Sequence, residues 1–297
     1  MTTAVSASST GWRSLLCLPH SWFCGLLDTP VPTTRPPLVP RTVHASLRPD
    51  QSRPRTIIVG DLHGCLDELH DLLAACDYDP STTRVVMLGD LVNKGPHSVA
   101  SVDFVRRSGF ACVRGNHDDC ALAAWERRSA EVRDGGAANP NDAYAYTDGF
   151  TSEDVQFLRE LPYTIYLQTD GVLVVHAGIV PGVALHKQQL LAMYTMRDLL
   201  RPPDSSGSDR WVWLSQPSPA STPWAAVWKP DPAANGTPAQ HVVFGHDAKR
   251  NLQQHSHATG LDTGCCYGRQ LTALVLPSRT IVSVPARRTY ATPPDAG

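Results

Sequence analysis

The chain has no long apolar run, no CxxC pair and almost no net charge, and each shortage removes a class of protein. The apolar stretch Ser14 to Leu27 is broken by Pro19 and His20. It falls short of the ~20 residues that a membrane helix needs, so no membrane span is expected. Eight cysteines among 297 residues are too sparse for a disulfide-stapled scaffold and read as free thiols of a reducing compartment. Lys and Arg number 26 against 28 Asp and Glu, a formal charge of −2, which argues against broad electrostatic capture of nucleic acid as the main task. Charged residues are only 18% and hydrophobic residues 42%, so neither a disordered acidic chain nor a highly charged coiled coil fits. A globular protein remains, with an intracellular, cytoplasmic location expected.

Lys and Glu are also missing from residues 1–54, which carry eight of the 25 prolines, five arginines and two aspartates. This segment reads as a disordered extension. Its Arg and Ser content and lack of acids are similar to an organelle-targeting leader, although no amphipathic helix pattern runs through it. The body is expected over residues 55–285, with a short tail at 286–297.

At Arg55 the pattern changes. Thr56-Ile57-Ile58-Val59-Gly60 reads as a buried strand closed by glycine, followed by the loop Asp61-Leu62-His63-Gly64 and leucines at helical spacing. The unit recurs with Val85 to Leu88, a loop from Gly89 to Pro96 and a helix over about 98–107. It recurs again with Phe110 to Val113, the turn Gly115-Asn116-His117-Asp118 and a helix through Trp125. Such alternation predicts an α/β fold with largely parallel sheet, in which ligands collect at the carboxyl ends of strands. Further on, Val172 to Val175 ends in His176, and Val242 to Phe244 ends in Gly245-His246. Leu271 to Leu276 and Thr280 to Val284 predict a hairpin. Residues 201–238, with eight prolines and four tryptophans, predict a long loop insert.

Five loops that follow strand candidates therefore carry Asp61 with His63, Asp90, Asn116 with His117, His176 and His246. Carboxylate, amide and imidazole donors suit an open catalytic metal site, whereas a closed structural zinc site favours thiolates. Asp61-Leu62-His63, Gly89-Asp90-Leu91-Val92-Asn93-Lys94-Gly95, Gly115-Asn116-His117-Asp118, His176-Ala177-Gly178 and Gly245-His246 resemble, in order, the five motifs of the calcineurin-like metallophosphoesterases, which include the Ser/Thr protein phosphatases. Leu261-Asp262-Thr263-Gly264-Cys265 and Leu271-Thr272-Ala273-Leu274 resemble the C-terminal part of symmetrical bis(5'-nucleosyl)-tetraphosphatases, and Asn93-Lys94-Gly95-Pro96 resembles ApaH-like phosphatases.

The resemblance implies a single catalytic domain with the four-layer α-β-β-α sandwich. It implies two divalent ions (Mn, Zn, Fe, Co or Mg), one held by Asp61, His63 and Asp90 and the other by Asp90, Asn116, His176 and His246, with Asp90 bridging. It implies attack by a metal-bridging hydroxide, His117 as the acid toward the leaving oxygen, and Lys94 as a phosphate contact. Arg197, after the fourth motif, is a candidate second phosphate contact, and Trp224, Trp228 and Tyr267 are candidates for stacking on a nucleobase. Arg114 reads as a loop-holding residue. Lys249 and Arg250 are read either as a basic rim or as solvated surface. One position departs from the protein phosphatases: Asn93 stands where they carry an aspartate paired with the catalytic histidine. Asn93 can orient an imidazole but cannot stabilise its charge as a carboxylate does. This favours good leaving groups, hence phosphoanhydrides of a dinucleoside polyphosphate, a polyphosphate or a capped RNA end. The alternatives are a Ser/Thr protein phosphatase and a non-catalytic scaffold of the same fold.

Overall fold

A computed structural model describes residues 37–202 and 211–293. The apolar stretch Ser14 to Leu27, the rest of residues 1–36, part of the Pro- and Trp-rich insert and the last four residues lie outside the described residues. In chain order the first half contains β1 (His44–Leu47), β2 (Arg55–Val59), α1 (Leu66–Ala75), β3 (Thr83–Met87), α2 (Ser98–Arg107), β4 (Ala111–Cys112), α3 (Asn116–Arg133) and α4 (Ser152–Glu160). Then come β5 (Thr164–Leu167), β6 (Val172–Val175), α5 (Leu190–Thr195), β7 (Asp198–Leu200), β8 (Val212–Leu214), β9 (Thr222–Pro223), α6 (Trp224–Val227) and α7 (Pro232–Asn235). The chain finishes with β10 (His241–Phe244), β11 (Gln253–Gln254), β12 (Ala258–Gly260) and the hairpin β13 (Gln270–Leu276) and β14 (Thr280–Pro285).

The strands form two main mixed sheets, β14-β13-β2-β3-β4 and β1-β5-β6-β10-β12-β11, with a small sheet β8-β7-β9. Strands β2, β3 and β4 run parallel, as do β6, β10 and β12. Period-two alternation sorts their side chains into layers. Ile58, Val86, Leu88 and Val113 of one sheet meet Ile165, Leu167, Val172, Val174 and Val243 of the other in a shared apolar layer. The intervening residues face outward and are covered again, so β2, β3, β6 and β10 read as continuous apolar runs instead of alternating ones. Helix α1 packs on β13 and β14, with α2 beside it. On the far side α5, α6 and the small sheet bury Leu173, Val175, Val242 and Phe244. This is the expected sandwich of sheets flanked by helices.

Two expected boundaries move. Strand β1 lies inside the segment expected to be a disordered extension, paired in parallel with β5 from His44 opposite Thr164 to Leu47 opposite Leu167. The carbonyl of Leu38 is also fixed, accepting from Arg114 Nη1 at 2.9 Å and from the Tyr163 hydroxyl at 3.0 Å. Residues 287 and 290, in the expected tail, are likewise tied down. Arg287 N–H and the Tyr290 hydroxyl both donate to Glu68 Oε1, at 2.9 and 2.7 Å.

The insert is not one loop. It supplies β8, β9, α6 and α7, and it buries Trp224 and Trp228 to 1% and 3% exposure in the outer core. Trp224 packs edge-on against Phe244, and a Cβ on Gly178 would run into its indole. Neither tryptophan has a free face for a nucleobase.

Candidate metal and phosphate site

The five motif loops leave the carboxyl ends of β2, β3, β4, β6 and β10, so strand ends of both sheets meet at one pocket. Backbone pairing locks the first two loops together: His63 N–H donates to the Asp90 carbonyl at 2.7 Å and Gly64 N–H to that of Leu91 at 2.9 Å. Asp61 then accepts from His246 N–H with both carboxylate oxygens, each at 3.1 Å. Asp90 Oδ1 accepts from His117 N–H at 2.9 Å.

Among the described residues, eight non-glycine positions hold positive φ, and five of them are His63, Asp90, Asn93, Lys94 and His246. Left-handed backbone is costly for side chains with a Cβ and persists where surrounding structure enforces it, most often at functional sites. The glycines beside them have no room for a side chain. A Cβ on Gly115 would collide with the Asp90 carboxylate, and one on Gly245 with that of Asp61.

Three imidazoles are set in the same way. His63 Nδ1 donates to the Val92 carbonyl at 3.0 Å, His176 Nδ1 to that of Leu88 at 2.7 Å and His246 Nε2 to that of Thr195 at 3.1 Å. A carbonyl can only accept, so in each neutral ring the other nitrogen presents a lone pair. His176 Nε2 thereby faces Asn116 Oδ1 at 3.1 Å and Asp90 Oδ1 at 3.5 Å, acceptor against acceptor. His63 Nε2 lies 3.5 Å from Asp90 Oδ2. In this pocket two groups of donors have ligand atoms within 4.8 Å of one another: His63, Asp90 and His117, and Asp90, His176 and His246. Asp90 belongs to both.

The electrostatics agree with a cation pocket. Burial, then Asp262 and Asp90, hold the Asp61 carboxyl well above the usual carboxylate range. Burial pushes Asp90 up to about 7 against the opposing pull of Lys94. Burial also lowers the four imidazoles His63, His117, His176 and His246, His176 to about 4. Crowded carboxylates and neutral imidazoles whose lone pairs converge are the donor set of divalent ions of borderline hardness. The residues present fit such ions.

Residues 54–261 match the family described as calcineurin-like phosphoesterase. The chain belongs to it. Members are metal-dependent phosphoesterases with a binuclear metal site. The chain is 32% identical to a symmetrical bis(5'-nucleosyl)-tetraphosphatase of Janthinobacterium sp. (strain Marseille), over 77% of this chain and 95% of the relative. A relative of the same name in Coxiella burnetii (strain Dugway 5J108-111) is 28% identical, over 83% and 97%. The crystal structure of a candidate diadenosine tetraphosphatase superposes with a TM-score of 0.69 at 33% identity, covering 82% of this chain and 98% of that one.

Around this metallophosphoesterase pocket, Asn93 and Lys94 form one rim. Lys94 Nζ lies 3.0 Å from His63 Nε2 and 5.2 Å from the centre of the Tyr267 ring. Burial alone would lower its pKa, but Tyr267, Cys266 and Asp90 outweigh burial and hold it above the usual lysine range. Arg197 is anchored from behind, Nη1 donating to the Ser215 carbonyl at 2.8 Å and Nη2 to that of His246 at 3.2 Å, with Nε 3.7 Å from Asp247. Arg250 is not a free rim charge, since it pairs with Asp198 and Asp247 at 2.6 Å each. Arg114 is fully buried and holds backbone carbonyls, as a loop-holding residue does.

Two carboxylates were not singled out from sequence. Asp118 accepts from Asp90 N–H, Leu91 N–H and Gly115 N–H, all at 2.9 Å, and so joins the second motif to the third. Its place two residues after Asn116, in the first turn of a helix, is an N-terminal capping signal that points to this task. Asp262, buried after β12, adds its charge to Asp61 and Asp90. Its signal is a lone acid shortly after the short strand β12, within Leu261-Asp262-Thr263-Gly264.

Proposed function

We propose that the protein is a two-metal phosphohydrolase that cleaves phosphoanhydride bonds, with dinucleoside polyphosphates as its substrate class. The observation that carries this reading is the orientation of Asn93 beside His117. Asn93 Oδ1 accepts from Lys94 N–H at 2.8 Å, which turns its NH2 toward His117 Nδ1 at 3.0 Å. Nδ1 then accepts, and the ring proton sits on Nε2. Burial, then Lys94 and the neighbouring imidazoles, keep this ring neutral by lowering its pKa well below the usual histidine value. A neutral imidazole offers a hydrogen bond from Nε2 to a departing oxygen but is a reluctant proton donor. A nucleotide phosphate leaves with that much help, whereas a serine alkoxide needs a full proton.

In this reading Asp61, His63 and Asp90 hold one divalent ion, and Asp90, Asn116, His176 and His246 the other. Such a pair, when bound, lowers the pKa of water and draws charge from phosphoryl oxygens. The protein's own groups do the rest. Lys94 presents an ammonium to a phosphate at the rim, Arg197 offers a second cation behind His246, and Asn93 fixes the His117 tautomer. The named relatives, which are symmetrical bis(5'-nucleosyl)-tetraphosphatases, support the choice of substrate class.

The test offers diadenosine tetraphosphate, long-chain polyphosphate, capped RNA and a phosphoserine peptide in parallel to protein supplied with Mn, Co, Zn or Mg. The expected result is fastest turnover of the dinucleotide, lost together with bound metal in Asp90→Asn. Preference for the phosphopeptide, or an active Asp90→Asn protein, overturns the reading.

A further inference from the structure

We propose that Cys65, Glu68 and Cys265 form a second, buried site for a soft divalent cation of the zinc class, distinct from the phosphohydrolase pocket. Cys65 immediately precedes α1, and Glu68 lies three residues on, over the same face of the first turn. Cys265 comes from the turn between β12 and β13. The three offer ligand atoms within 4.8 Å of one another, and all three are buried, Cys65 and Glu68 to 0% exposure and Cys265 to 2%.

Glu68 is the observation that points to a ligand. Its Oε1 accepts from Arg287 N–H and the Tyr290 hydroxyl, while its buried Oε2 has no hydrogen-bond partner among the described residues. The Arg287 guanidinium forms its ion pairs with Asp67 and Asp71, at 3.0 Å each, and acts on Glu68 only as the weakest of its three carboxylate neighbours. A fully buried carboxylate oxygen without a partner is costly, and a bound cation is one of the few groups that removes the cost. Two sulfurs with one oxygen select zinc-like ions over Mg, Mn or Ca, whereas the main pocket offers only nitrogen and oxygen. The two sites are thus sorted by softness. An ion here would clamp the loop that carries His63 to the loop that carries Asp262, under the segment 287–290.

Cadmium serves as the probe, because sulfur ligands shift its NMR resonance and add an ultraviolet charge-transfer band that nitrogen and oxygen ligands do not give. The full chain with Cys17→Ser and Cys24→Ser, reduced and stripped by chelator, is titrated with Cd. The expected result is one cadmium with two sulfur ligands in addition to any nitrogen- and oxygen-bound cadmium. That signal should survive Asp90→Asn and Cys266→Ser and be lost in Cys265→Ser. Should Cys265→Ser not fold, the sulfur count from X-ray absorption of the parent protein decides. No two-sulfur cadmium in the parent protein, its persistence in Cys265→Ser, or a Cys65–Cys265 disulfide in place of metal overturns the proposal.

Discussion

Asn93 Nδ2 stands 3.0 Å from His117 Nδ1 and makes that nitrogen an acceptor. The amide cannot turn over to accept from the ring without giving up its own bond from Lys94 N–H. Asn93→Asp keeps the shape and replaces the NH2 with an oxygen that can hold an imidazolium N–H. Hydrolysis of a phosphoserine peptide relative to diadenosine tetraphosphate should rise on the order of 10-fold or more, the scale of a restored general acid. Steady-state kcat/KM for both substrates checks this, and an unchanged ratio refutes it.

Gly245→Ala should disable the pocket without unfolding the protein. Its added methyl meets the Asp61 carboxylate, which is held by the His246 backbone N–H and must swing away. Bound metal should drop and turnover fall at least ~10²-fold, while the melting temperature of the metal-free form stays near that of the parent. Elemental analysis with a thermal melt in chelator separates this from a folding defect.

Removal of residues 1–54 should destabilise the protein. The deletion takes away β1 and strips β5 of its parallel partner. It also removes the Leu38 carbonyl from the fully buried Arg114 and from Tyr163. Each buried donor left unpaired costs about 1–3 kcal/mol, so a lowered denaturation midpoint or insoluble protein is expected. Chemical denaturation of the truncated and full chains is the measurement, and equal midpoints would refute the expectation.

Metal-free protein should lose stability as pH rises from about 7 to 8. The lowered imidazoles take up protons on unfolding mainly below about pH 7, within half a unit of their ordinary value of 6.5. Above that, the remaining difference comes from carboxyls raised by burial, Asp90 and Asp118 to about 7 and Asp61 well above the usual carboxylate range. The folded state then binds more protons than the unfolded one, so unfolding free energy falls with pH. Divalent ions should reverse the trend, since they stabilise the deprotonated carboxylates. Melting temperatures with chelator and with Mn at pH 7 and 8 test both halves.

Legibility followed burial. Helix α2 spans Ser98–Arg107, as its spacing suggested, because one apolar face packs inward. Strands β2, β6 and β10 were visible as apolar runs because both faces are covered. Strand β1, with the sequence His-Ala-Ser-Leu, has no such run: it is an edge strand whose stability comes from backbone pairing with β5 and from His44 Nδ1 bonding Thr164 Oγ1 at 2.9 Å. Trp224 and Trp228 sit in a Pro-rich stretch whose composition gives no period, so their burial came only with the fold. The spacing of the motif loops was readable, but the left-handed backbone of His63, Asp90, Asn93, Lys94 and His246 was not, since none is a glycine that would announce it.

The contact between Asp61 and His246 joins residues 185 positions apart, and β2, which leads into the Asp61 loop, is flanked on one side by β13, made near the end of the chain. During synthesis the first two motifs therefore leave the ribosome long before the partners that shape them. A nascent chain short of β13 lacks the strand that pairs with β2 on this side, so the sheet beneath Asp61 is completed only by the final hairpin.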